Sequence, residues 1–101
     1  AGMGSCEVHY STAKAGMIGF TKALAKEVAP SQIRVNCIAP GIIDTQMNQE
    51  LTEQERREIV NQIPLGRVGN VIDIVKCVNW LIEDNYTTGQ IISPNGGWVI
   101  S

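Results

Sequence analysis

The sequence lacks the features that mark nucleic-acid-binding, membrane-spanning and secreted proteins. Its 8 lysine and arginine residues are outnumbered by 10 aspartate and glutamate residues, so no positive surplus exists to hold nucleic-acid phosphates or anionic lipid. No apolar run approaches the ~18 residues that a membrane span needs, and the N-terminus has no signal-peptide pattern. We therefore expect no nucleic-acid partner, no membrane partner and a cytoplasmic location.

Cysteine is also scarce. Cys6, Cys37 and Cys77 are odd in number and widely separated, which fits neither a disulfide framework nor a zinc site. This pattern indicates a reducing compartment and predicts no metal centre.

What the sequence does contain is enough apolar material for one folded domain. Hydrophobic residues make up 44% of the 101 residues and charged residues 18%, and the apolar residues run along the whole length. This composition excludes an intrinsically disordered chain. The first residue is alanine, which suggests that the chain starts inside a longer protein.

A long helix is the clearest local prediction. Residues 7–29 contain no proline, and helical spacing places a row of apolar residues on one side: Ala13, Met17, Phe20, Leu24 and Val28. Pro30 should end the helix. Because the other sides also carry apolar or very small residues, this helix should need more cover than 101 residues can provide.

The remaining segments predict an α/β arrangement. In chain order they are a strand at Ile33–Ala39, a helix from the Thr52 and Glu55 capping box to about Gln62, a helix at Val71–Glu83 capped by Asn70 and Asp73, and a strand at Gln90–Ser93. The β-branched content of Val71–Glu83 leaves a strand interpretation open. Two strands joined by helices form a parallel unit, which predicts one edge of a doubly wound α/β domain.

Tyr10 and Lys14 are the candidate catalytic pair. At positions i and i+4 of a helix, their side chains leave the same face one turn apart. An ammonium ~4 Å from the phenol favours phenolate by ~4 kcal/mol at an effective dielectric near 20, which lowers the tyrosine pKa, although desolvation opposes this. Such a tyrosine can exchange a proton with a carbonyl or alcohol oxygen. Taken alone, the pair is more often an interfacial tyrosine with a solvated lysine.

Five blocks of sequence place this pair in a wider pattern. They are Tyr10–Gly16, Ile33–Gly41, Thr45 with Met47, Pro64–Arg67, and Thr88–Gln90 with Asn95–Gly97. In this order they resemble the C-terminal portion of the short-chain dehydrogenase/reductase family, whose members bind nicotinamide cofactors on a Rossmann-like sheet. Within the family, the likeness is greatest to bacterial 3-oxoacyl-[acyl-carrier-protein] reductases.

The resemblance implies that Tyr10 and Lys14 are both catalytic and cofactor-binding. Tyr10 would protonate the substrate carbonyl oxygen while NAD(P)H delivers hydride to the carbon. Lys14 would lower the pKa of Tyr10 and hold the hydroxyls of the nicotinamide ribose.

The resemblance also implies a cofactor role for the loop after the first strand. Pro40 and Gly41 would turn the chain at the carboxyl end of a parallel strand, where ligands of open α/β sheets bind. The Ile43 backbone would meet the cofactor carboxamide, and Thr45 would reach the pyrophosphate. Without the family likeness, a plain turn in which Thr45 caps a short helix explains the segment equally well.

Some parts of the family pattern are missing. The phosphate loop TGxxxGxG is absent, the position of the catalytic serine falls before Ala1, and the catalytic asparagine lies further upstream still. Asn95 stands where the family usually has aspartate. Residues 1–101 are therefore expected to form a single partial domain that lacks the N-terminal cofactor-binding half.

The function implied by the resemblance is that of an oxidoreductase. The parent protein would reduce a ketone with NADP as cofactor, NAD being possible, on an acyl-carrier-protein-linked substrate in fatty acid synthesis, as a homo-oligomer. Two alternatives stay open: a reductase of another carbonyl, such as the aminopentanone group on elongation factor P, and a catalytically inert assembly module. The isolated 101-residue chain is expected to be inactive.

Overall fold

The computed structural model describes residues 3–47 and 49–98, with side chains from residue 12 onward. The elements are helix α1 at Met3–Val28, a 3-10 turn at Ala29–Ser31, strand β1 at Cys37–Ile38, a 3-10 turn at Asp44–Gln46, helix α2 at Glu53–Asn61, helix α3 at Val71–Glu83 and strand β2 at Ile91–Ile92. This is the predicted order of helices and strands.

The two strands pair with each other in one sheet. The Cys37 amide donates to the Gln90 carbonyl at 2.9 Å, and the Ala39 amide donates to the Ile92 carbonyl at 2.9 Å. The acceptors advance along the chain in the same direction as the donors, so the strands are parallel. This agrees with the predicted α/β class.

Strand β1 is shorter than the predicted Ile33–Ala39. Before Cys37, side chains replace the regular ladder: the Val35 amide donates to Thr88 Oγ1 at 3.0 Å. The Asn36 side chain donates through Nδ2 to the Thr87 carbonyl and accepts through Oδ1 from the Gln90 amide, at 3.0 and 3.1 Å. These bonds hold an extended segment that is not a strand.

Helix α1 covers the predicted segment up to Val28, and the 3-10 turn Ala29–Ser31, which contains Pro30, follows it directly. Its most buried described side chains are Thr21 and Ala25, exposed by 4% and 3%. Met17 and Phe20 are exposed by 54% and 68%. The side facing the core therefore carries small residues, and in the described part of the chain the predicted apolar row is largely uncovered at Met17 and Phe20.

Helices α2 and α3 begin at the predicted caps. In α2, the Glu55 amide donates to Thr52 Oγ1 at 3.1 Å, and the Thr52 amide donates to Glu55 Oε1 at 3.0 Å. In α3, the Asn70 amide donates to Asp73 Oδ2 at 2.9 Å and the Asp73 amide donates to Asn70 Oδ1 at 3.1 Å. The strand alternative for Val71–Glu83 was wrong, because this cap starts a regular helix there.

The chain divides into two compact units. One comprises Ala1–Cys37 with Asp84–Ile91, and the other comprises Ile38–Glu83 with Ile92–Ile100. Thr21 and Ala25 lie at the centre of the first unit, and Ile63 and Leu81 at the centre of the second, where they are exposed by 3% and 9%. Within the described part of the chain, no helix is both long and apolar enough to cross a membrane.

Candidate functional site

Helix α1 carries the predicted catalytic pair. The backbone of Met3–Val28 is helical throughout, so Tyr10 and Lys14 occupy positions one turn apart on the same helix face. Lys14 is half-buried, and the Tyr10 side chain lies outside the described residues. Both residues belong to the first unit, and their placement on one helix is as predicted.

The other predicted site residues form a loop in the second unit. This loop follows β1, at the carboxyl end of a parallel strand, as predicted. Pro40 is exposed, and the Gly41 amide donates to the Pro94 carbonyl at 3.1 Å, which continues the pairing beyond the strand. A Cβ atom at Gly41 would lie 2.8 Å from both the Cα and the Cβ of Asn95. The close approach of these two segments therefore requires glycine at position 41.

Residues 42–44 are held along one side by Gly69. The Gly69 amide donates to the Ile42 carbonyl at 2.9 Å, and the Asp44 amide donates to the Gly69 carbonyl at 2.8 Å. Together they form an isolated parallel bridge between Ile43 and Gly69. This bridge fixes the direction of the Ile43 backbone.

Gln46 closes the loop on itself. Its amide donates to the Ile43 carbonyl at 3.0 Å, and its side-chain Oε1 accepts the Ile43 amide at 2.9 Å. The backbone donor that the family likeness assigns to the cofactor carboxamide is thus already bonded to a carboxamide oxygen of this chain. The sequence analysis missed Gln46, since a capping-box search looks for serine or threonine three residues earlier and finds Ile43.

Thr45 lies inside the 3-10 turn with an exposed side chain. The residue at the N-cap of this turn is Ile43. The alternative in which Thr45 caps a short helix is therefore wrong. Its hydroxyl stands at the surface of the loop, where it can meet a ligand.

The turn at Asn95 completes the neighbourhood of Gly41. Asn95 Oδ1 accepts a hydrogen bond from the Gly97 amide at 2.9 Å. Gly96 and Gly97 have positive φ angles of 64° and 89°. The Gly96 carbonyl accepts the Leu65 amide at 2.9 Å. An asparagine oxygen serves this turn as an aspartate oxygen would, so the departure from the family's usual residue leaves an acceptor in place.

An ion pair borders a cavity of about 230 Å³ beside this turn, lined in part by Leu65, Gly69 and Asn95. Arg67 donates through Nη1 to Asp73 Oδ2 at 2.9 Å and through Nη2 to Asp73 Oδ1 at 3.3 Å. The Arg67 guanidinium, followed by the Asn70 amide, lowers the pKa of Asp73 from 3.8 to about 2. The arginine charge is therefore engaged by a partner within the chain and anchors the start of α3.

No group of three or more metal-ligating side chains occurs among the residues with described side chains. The loop after β1 offers backbone amides and the Thr45 hydroxyl as donors. These groups suit an organic cofactor with amide and phosphate oxygens.

Comparison with known proteins identifies the family. Residues 1–99 match a family model described as enoyl-(acyl carrier protein) reductase. The chain belongs to the short-chain dehydrogenase/reductase family. Its Rossmann-like α/β class agrees with the parallel strands and flanking helices described above.

Several bacterial members of the short-chain dehydrogenase/reductase family are close in sequence. The 3-oxoacyl-[acyl-carrier-protein] reductase FabG of Chlamydia trachomatis is 50% identical over 93 residues, which is 90% of this chain and 38% of the relative. FabG of Pseudomonas aeruginosa is 47% identical over 97 residues, 94% of this chain and 39% of the relative. An uncharacterized oxidoreductase of Bacillus subtilis, YmfI, is 49% identical over 96 residues, 93% of this chain and 40% of the relative. The chain spans about two fifths of the length of these curated relatives.

Proposed function

We propose that the complete natural polypeptide containing these residues, hereafter the complete polypeptide, is an NAD(P)H-dependent reductase of 3-oxoacyl groups linked to acyl carrier protein. The observation that carries the proposal is the unbroken helix α1, which places Tyr10 and Lys14 on one face. The names of relatives 47% to 50% identical to the chain support the substrate. The pathway would be fatty acid synthesis.

The proposed chemistry is proton transfer to a carbonyl oxygen. When bound, the cofactor supplies the hydride that reaches the carbonyl carbon. Tyr10 donates its phenolic proton to the carbonyl oxygen, and the Lys14 ammonium stabilises the phenolate left behind. Lys14 would also hold the cofactor by donating hydrogen bonds to its ribose hydroxyls.

We propose a cofactor-binding role for the loop after β1 as well. The Ile43 amide already donates to a carboxamide oxygen, that of Gln46, at 2.9 Å. The same donor would hold the nicotinamide carboxamide, while the exposed Thr45 hydroxyl reaches the pyrophosphate. Pro40 and Gly41 turn the chain into position. We propose NADP as the cofactor, with NAD as the alternative.

Substitution of Tyr10 tests this function. In the complete polypeptide, Tyr10→Phe should lower kcat/KM for a 3-oxoacyl-acyl-carrier-protein substrate by about 100-fold or more, because the general acid is lost. The dissociation constant of NADPH should change little. Tyr86→Phe is the matched control, since Tyr86 is 96% exposed and should be dispensable. Near-normal turnover by Tyr10→Phe would remove this residue from the mechanism.

We also propose that the complete polypeptide is a homo-oligomer that uses helix α3. Its Val71, Val75, Val78 and Ile82 share one face and are exposed by 52%, 46%, 37% and 68%. Their spacing is the same read from either end, so two copies of α3 could pack antiparallel about a two-fold axis, with Val75 opposite Val78 and Val71 opposite Ile82.

A charge placed on this face tests the oligomer. Val75→Glu should lower the mass measured by sedimentation of the complete polypeptide, because a charge would be buried between copies. Lys76→Glu, on the same helix but outside the apolar face, is the control and should leave the mass unchanged. An unchanged mass for Val75→Glu would show that something other than a second copy covers this apolar face.

A further inference from the structure

We propose that the Gln46 side chain is an internal substitute for the cofactor carboxamide, and that it must leave the Ile43 amide before the nicotinamide can bind there. The inference rests on the proposed function. It makes Gln46 a residue that sets cofactor affinity by competition.

The first support is chemical identity. Gln46 Oε1 and the oxygen of nicotinamide both belong to a primary carboxamide, so they seek the same kind of donor. The Ile43 amide donates to Gln46 Oε1 at 2.9 Å, an ordinary hydrogen-bond length. A single amide hydrogen in good alignment serves one such acceptor at a time.

The second support is that the side chain can leave without unfolding the loop. The Gln46 amide bonds to the Ile43 carbonyl at 3.0 Å, and the Met47 amide bonds to the Asp44 carbonyl at 3.0 Å. These bonds belong to the backbone and do not involve the Gln46 side chain. The bridge to Gly69 holds Ile43 from its other side. The donor therefore keeps its direction when Gln46 rotates away.

The third support is exposure. Gln46 is exposed, so its released carboxamide can be solvated by water at once. Exchanging one exposed neutral hydrogen bond for another is a small effect, worth about a two- to tenfold change in an equilibrium constant. Gln46 should therefore tune cofactor affinity without abolishing it.

The test measures dissociation constants in the complete polypeptide for two ligands, NADPH and 2′-phospho-ADP-ribose, which lacks the nicotinamide ring. Gln46→Met keeps the length of the side chain but removes the acceptor, so the dissociation constant of NADPH should fall by about two- to tenfold. Binding of 2′-phospho-ADP-ribose should be unchanged, because that ligand has no carboxamide.

Gln46→Glu tests the opposite direction. A carboxylate is a stronger acceptor for the Ile43 amide, so NADPH should bind more weakly than to the unsubstituted protein. Repulsion between the carboxylate and the ligand phosphates would weaken the binding of both ligands by the same factor. The ratio of the two dissociation constants is therefore the measured quantity, and it should rise for Gln46→Glu and fall for Gln46→Met.

Gln54→Met is the matched control. Gln54 lies on α2, where its side chain bonds to Glu58 at 3.4 Å, and its substitution should leave the ratio unchanged. An unchanged ratio for both Gln46 variants, with NADPH still bound, would overturn this inference alone. If the unsubstituted complete polypeptide bound neither NADPH nor NADH, the proposed function would fall, and the inference with it.

Discussion

At Gly41, one added methyl group would press on the backbone of a neighbouring turn. The new Cβ would lie 2.8 Å from Asn95 Cα, which cannot rotate away as a side chain could. We expect Gly41→Ala to destabilise the complete polypeptide by about 1 to 3 kcal/mol, the usual cost of overpacking. Urea unfolding would measure this. Asn95→Asp keeps the acceptor oxygen and adds no atom near Gly41. The urea concentration at the midpoint of its unfolding should therefore stay close to that of the unsubstituted protein.

The Arg67 and Asp73 pair predicts a pH dependence. The folded pKa of Asp73, about 2, lies below its ordinary value of 3.8, so the ionised form favours the folded state. This contribution is complete above pH 3.8 and is lost as the pH falls toward about 2. Asp73→Asn should therefore be less stable than the unsubstituted protein near neutral pH, and the difference should shrink over that acidic window.

Two measurements check this prediction. Urea unfolding at several pH values gives the difference in stability, and NMR titration of the Asp73 carboxyl gives its pKa directly. Glu53→Gln is the control, because the Glu53 and Arg57 pair is exposed and 4.0 Å apart, and such pairs contribute little. An Asp73 carboxyl that titrates at 3.8 would contradict the bidentate contact.

At the scale of elements, the caps decide where the short helices begin. Thr52→Ala removes the oxygen that accepts the Glu55 amide, which should destabilise α2 by about 1 kcal/mol. Amide hydrogen exchange of the first turn of α2 would report the loss as faster exchange. Glu55→Gln preserves a side-chain acceptor for the Thr52 amide and should leave exchange nearly unchanged. Equal exchange in Thr52→Ala and the unsubstituted protein would show that the cap is not needed.

Local sequence predicted these helices because their signals lie within a few residues of each other. Thr52 with Glu55, and Asn70 with Asp73, are three residues apart and mark the starts of α2 and α3. The length of β1 could not be predicted in this way. The strand begins only at Cys37 because the segment before it bonds to side chains and loop carbonyls of residues 87–90, which are distant in sequence.

The same distinction holds for the site. The spacing of Tyr10 and Lys14 predicted a shared helix face, since helical periodicity alone determines it. Gln46 was missed because its bond to the Ile43 amide depends on the 3-10 turn of the backbone there, and no residue type in 43–46 predicts that turn. The family likeness predicted a cofactor role for the loop, but only the hydrogen bonds show which of its donors is already bonded within the chain.

At the scale of the whole molecule, we expect a cofactor site to need more protein than these residues supply. Met17 and Phe20 of α1 stand more than half exposed, and the family's phosphate loop is not in the sequence. We expect the isolated 101-residue chain to show no saturable NADPH binding by fluorescence titration, whereas the complete polypeptide binds it. Saturable binding by the isolated chain would contradict this expectation.

The Asn36 side chain bonds to residues that are distant in sequence and are therefore synthesised later. Its partners, Thr87 and Gln90, follow it by 51 and 54 residues. A ribosome that adds about 5 to 20 residues per second would make Asn36 roughly 3 to 10 seconds before its partners exist. During translation, β1 would emerge before β2, so the edge that β2 later occupies would be open to a nascent-chain chaperone in that interval.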